Sequence, residues 1–289
     1  MLGRTDWHKT LCMGISIGTE GNDAVAGTIG PFVQLNETEI GFLTCAHVIK
    51  PNDLEAEEDF GETSGPYVLQ PPDGELLPYQ RMSFRKACCG RVLKYIFNPN
   101  FHDPLNGLTN YVGVDAALVK VINRDVDVNN FPFIPLMDLR KAGFDPNYPP
   151  VFQHQSSKYP LNFQEVEGKR VIKYGRTTGL TKGSMFLDGV MVKVHDSELE
   201  LPSTSKVVMK GQYIVEKHGS TAFFDLGDSG SGVFMIDKEN KLTCIGLAIG
   251  MLDEQHDPQC VVTPIEYVLK ALGLSLDSLK IHEKMDTGE

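Results

Sequence analysis

The chain has 289 residues, 41% of them apolar and 22% charged, the proportions of an ordinary soluble globular protein with room for one large domain or two smaller ones. Its formal net charge of −11, from 27 basic and 38 acidic residues, argues against nucleic acid or an anionic membrane surface as a partner, because neither would be drawn to it electrostatically. No run of about 18 apolar residues exists to cross a bilayer, and the opening MLGRTDWHKTLCMG lacks the apolar stretch of a signal peptide.

In chain order, a first group of short apolar segments reads as strands: LCMGISIG, AVAGTIG, EIGFLTCAHVI, CGRVLKYIF and VDAALVKVI. The acidic run DLEAEEDFGE, Asp53 to Glu62, reads as a solvated loop. Residues 129–160 are Pro-rich and aperiodic, a natural linker. A second group follows: KRVIKYGRTTG, KGSMFLDGVMVKV, KVVMKGQYIVEK, SGSGVFMI and LTCIGLAIGM. Many short strands punctuated by turn residues predict an all-β sandwich or a pair of barrels. Near the end, TPIEYVLKALGL predicts a helix with Thr263 as N-cap and Pro264 in the first helical position. The expected division is residues 1–128, 129–160, 161–262 and 263–289: first barrel, linker, second barrel, then helix and polar tail.

Six cysteines (Cys12, Cys45, Cys88, Cys89, Cys244 and Cys260) show neither a disulfide framework nor a C-x-x-C metal spacing. Cys45, Cys244 and Cys260 lie in apolar runs, where a thiol behaves as a small hydrophobe. The expectation is a reducing, intracellular setting.

The chemistry-bearing candidates are a histidine, an aspartate and a serine, in that order. Of eight histidines, only His47 closes an apolar segment, GFLTCAH; the others lie in polar or loop-like surroundings. Taken alone, a histidine in the place of His47 is more often a satisfied structural residue. Asp115 is flanked by Val114, Ala116, Ala117 and Leu118, so its carboxylate is expected to be buried and to need a donor, either an imidazole or backbone amides. Ser229 stands in DLGDSGSGVF, where Gly227 and Gly230 permit dihedrals other residues avoid. A serine hydroxyl is a weak nucleophile without a base, an orienting group and amide donors for the oxyanion. The N–H groups of Gly227 and Ser229 are the candidate donors.

Together, TCAH, VDAALV and GDSGSG resemble the three motifs of the chymotrypsin-like serine proteases, over roughly residues 11–272. KYGRTTGLTKGS resembles the opening of the second barrel in the α-lytic and streptogrisin branch. The resemblance implies two antiparallel six-stranded β-barrels with a C-terminal helix, and a serine endopeptidase with His47, Asp115 and Ser229 as its triad. It implies a protein or peptide substrate and no metal or organic cofactor. Further domains in a longer protein are compatible with it.

The sequence departs from that pattern in places. Val48 and FFDL stand where many secreted members carry cysteines, and no Ile-Val-Gly-Gly-like stretch is available to pair with Asp228. Lys173, or Arg176 nearby, is the expected partner of Asp228 instead. Phe223 occupies the place of the trypsin-like pocket aspartate. With Ala248, Gly250 and Cys260 it predicts an apolar specificity pocket, hence an uncharged residue before the cut bond. An α/β-hydrolase is excluded by Ser231, which replaces the elbow's second glycine, and by the His-Asp-Ser order. The alternative is a non-catalytic interaction module that keeps a protease fold.

Overall fold

The structure, a computed structural model, describes residues 4–22, 25–49, 57–61, 64–72, 83–102, 111–128, 131–145, 147–148, 153–154, 168–194, 207–239, 241–252 and 258–279. Two antiparallel sheets contain most of them. The first has six principal strands in the order Ser16–Thr19, Tyr67–Leu69, Cys88–His102, Tyr111–Val121, Ile40–Thr44 and Phe32–Gln34. Two short strands are added: Gly27–Thr28 on Ser16–Thr19, and Glu57–Asp59 on Cys88–His102.

In the second sheet the order is Lys241–Leu252, Gly232–Ile236, Arg170–Gly175, Gly179–Val194, Val207–Lys217 and Gln259–Pro264. Gln259–Pro264 then pairs back onto Lys241–Leu252. The ladder of pairings therefore closes on itself as a six-stranded antiparallel barrel. The all-β double-barrel fold expected from the sequence is the fold observed.

Both sheets drain into one core. Val114, Ala116 and Val119 of the first share a cluster with Phe234 and Leu247 of the second. Tyr111–Val121 is buried at eight consecutive positions, which explains why it reads as a continuous apolar run rather than an alternating one. The helix Ile265–Ala271 sinks Ile265, Val268 and Leu269 into the same cluster. It packs on Tyr111–Val121 of one sheet and Lys241–Leu252 of the other.

Several local expectations are corrected. The terminal helix begins at Ile265, with Pro264 as the residue before its first turn. Thr263 is not its cap but the fifth residue of a strand missed in the sequence, and its hydroxyl donates to Gln212 Oε1 at 2.8 Å. Glu57–Asp59 is an exposed strand, not loop. A helix, Leu136–Lys141, interrupts the predicted linker. His47 lies inside a four-residue helix, Ala46–Ile49, rather than at the end of a strand. His8, expected to be solvated, is buried, and its N–H donates to Gln70 Oε1. His195, His256 and His282 lie outside the described residues.

Candidate active site

Ile40–Thr44 pairs with Tyr111–Val121 so that Thr44 faces Ala117. The chain then leaves the sheet at Cys45 and turns into the helix Ala46–Ile49. Asp115, two residues along from Ala117, thereby meets the first amides of that helix. Its Oδ1 accepts the N–H of Ala46 at 2.7 Å and of His47 at 3.2 Å, while its Oδ2 meets His47 Nδ1. The carboxylate is 4% exposed and the imidazole 23%. Both donor types weighed for Asp115, imidazole and backbone, are therefore present at once. The arrangement fixes the ring's orientation and leaves its second nitrogen away from the carboxylate.

The serine turn is held from both barrels. Asp228 N–H donates to Asp225 O at 3.0 Å and Ser231 N–H to Asp228 O at 3.0 Å. Gly227 and Gly230 have φ of +91° and +89°, conformations that only glycine adopts at little cost. From the first sheet, Thr28 bonds the turn twice. Its hydroxyl donates to Gly227 O at 2.9 Å, and its N–H donates to Ser229 O at 2.9 Å. A Cβ on Gly230 would lie 2.2 Å from Thr44 Oγ1, and one on Gly27 would lie 2.5 Å from Val48 and 3.1 Å from Ser229 O. These close approaches bring Ser229 to the end of the strand that leads into His47. Among the described residues, the N–H groups of Gly227 and Ser229 donate to nothing.

Behind the turn, Lys173 Nζ lies 2.7 Å from Asp228 Oδ2, and both side chains are fully buried. The same carboxylate accepts the Thr178 hydroxyl at 2.7 Å and the N–H groups of Thr177, Thr178 and Asp225. Burial acts to raise the Asp228 carboxyl. The Lys173 charge and these hydrogen bonds outweigh it and hold the group below its ordinary value. Arg176, the other basic candidate, packs its guanidinium against the α-carbon of Gly227, where a Cβ would lie 2.3 Å from it.

Phe223, Ala248 and Cys260, predicted to line a specificity pocket, are each fully buried in one apolar cluster with Val171, Val215 and Val233. They are packing rather than an open wall, because their side chains already fill the space between the strands. Gly250 borders open space. The Phe223 ring also lies 5.5 Å from Lys173 Nζ.

Cys45, His47 and Asp115 each place a potential metal-ligand atom within 4.8 Å of the others. Burial, then the nearby Asp115 charge, pushes the Cys45 thiol well above its ordinary range. The thiol donates to Ala248 O at 3.4 Å. The Asp115 oxygens already meet three donors. Thr28 carried no signal in the sequence, and Thr177 and Thr178 none beyond their place in KYGRTTGLTKGS.

No protein-family model and no curated protein matches the chain. Solved structures do. Protease A of Thermobifida fusca is 14% identical over 91% of this chain and 96% of its own, with a TM-score of 0.50. The Nocardiopsis protease NAPase is 13% identical over 91% and 97%, also at 0.50. The chain has the chymotrypsin-like double-barrel fold of the serine proteases.

Proposed function

We propose that the chain is a serine endopeptidase, with residues 1–128 and 161–262 as its two barrels, 129–160 joining them, and protein or peptide as substrate. The observation that carries this is the His47–Asp115 contact, buttressed by two backbone amides, beside a serine turn whose two amide donors are unspent. Ser229 Oγ attacks the carbonyl carbon of the scissile bond while His47 takes its proton. Asp115 holds the imidazole in one tautomer and stabilises the cation formed. The Gly227 and Ser229 amides receive the oxyanion. Collapse expels the amine, protonated by His47, and leaves an acyl-enzyme that water then hydrolyses by the same steps.

An uncharged residue before the cut bond belongs to this reading, because the packed apolar cluster that contains Phe223, Ala248 and Cys260 includes no anion to meet a basic side chain. Lys173 and Asp228 keep the serine turn formed without a processing cut. A fluorophosphonate probe tests the reading: it is expected to label the folded protein, and to fail on Ser229→Ala. Failure to label the native chain would leave the interaction-module alternative standing. Cleavage of a peptide library mainly after Lys or Arg would overturn the specificity.

A further inference from the structure

We propose that Thr177 is a positioning residue that keeps the oxyanion hole open by choosing the orientation of one peptide, Leu226–Gly227. The inference rests on the peptidase reading above and concerns how its anion site is set.

Residues 225–228 form a four-residue turn, closed by the Asp228 N–H on Asp225 O. Such turns exist in two forms that differ by a flip of the central peptide, and a positive φ at the third residue marks one of them. Gly227, the third residue, has φ +91°. Glycine is comfortable in either form, so the residue itself does not make the choice. No larger residue could make it, because a Cβ at 227 would meet Arg176 at 2.3 Å and Thr177 Oγ1 at 2.8 Å.

The choice falls to what holds the Leu226 carbonyl. In a trans peptide the C=O and the following N–H point opposite ways. The Thr177 hydroxyl donates to Leu226 O at 2.6 Å, which turns the Gly227 N–H to the other side, where it is unspent. Flipping this peptide would break that bond and present the Leu226 oxygen where the N–H now points, repelling an oxyanion instead of binding it.

The neighbouring carbonyls are secured differently. Thr28 holds Gly227 O and Ser229 O, and the Ser231 amide holds Asp228 O. Leu226 O alone of these four hangs on a side chain from the second barrel's own turn. That side chain is placed in turn by the Asp228 carboxylate, which accepts the Thr177 N–H at 2.9 Å. A chain of contacts thus runs from Lys173 through Asp228 and Thr177 to the Gly227 amide.

The test compares wild type, Thr177→Val and Thr177→Ser for p-nitrophenyl acetate turnover and fluorophosphonate labelling rate. Thr177→Val keeps the shape and deletes the donor. A single hydrogen bond biasing the flip predicts a loss of roughly three- to tenfold in both rates, with KM unchanged. Thr177→Ser is expected to recover the wild-type rates, and the unfolding temperatures are expected to agree, Thr177 being exposed. Wild-type rates in Thr177→Val, or a Thr177→Ser variant as slow as Thr177→Val, would overturn the inference while leaving the peptidase reading intact. A wild-type protein that does not label at all overturns the peptidase reading, and this inference with it.

Discussion

Asp115 spends its two oxygens on three donors, one imidazole and two amides. An asparagine could keep its carbonyl on the amides, but its NH2 would then face His47 Nδ1 and demand the opposite tautomer. Asp115→Asn is therefore expected to fold normally and lose about 10⁴-fold in turnover, measured with an ester substrate beside the circular dichroism melt. Gly230→Ala makes a structural prediction. Its methyl would enter the space of Thr44 Oγ1 and Thr28 O at a positive φ. A loss of about 2–4 kcal/mol in chemical denaturation is expected. Asp115 was legible in the sequence because a carboxylate among valines and alanines must find donors. Thr28 was not, because its hydroxyl works only across a contact 199 positions long in the chain.

At the scale of elements, the turn after Arg170–Gly175 and the serine turn are welded by one carboxylate. Because the folded Asp228 carboxyl sits below its ordinary value of 3.8, its contribution to stability is complete above that pH and is lost as pH falls toward the folded value. Removing the cation weakens that dependence. In Lys173→Met the buried carboxyl keeps the Thr178 hydroxyl and three N–H donors but loses its counter-charge, so its value rises and the stability deficit against wild type grows as pH climbs from 4 to 7. The variant should lose about 3–5 kcal/mol at neutral pH, and urea titrations across that range check both sign and size. The strands of the second barrel were legible as apolar runs between turn residues. The helix under His47 was not, since four residues are too few to show a helical period. Gln259–Pro264 was hidden because Thr263 and Pro264 suit a helix start equally well. Tertiary pairing, with Thr263 bonded to Gln212, decides for the strand.

For the molecule as a whole, all six cysteines are free and buried. Burial pushes the thiols of Cys12 and Cys244 up to about 12. Ellman's reagent is expected to find none of the six in the native protein and all of them in denaturant, and added reductant should leave the unfolding temperature unchanged. The helix Ile265–Ala271 anchors both sheets through one core, so Leu269→Ala, at a fully buried position, should cost about 2–5 kcal/mol. The melt should remain a single transition rather than splitting by barrel. The Thr28 contacts carry a consequence for the chain during synthesis. The base and its carboxylate leave the ribosome well before the nucleophile, and the serine turn gains its Thr28 hydrogen bonds only when a strand made nearly two hundred residues earlier docks against it. A half-made chain would thus be harmless to its neighbours, and the proposed activity would switch on in one late event, at the moment the two barrels close together.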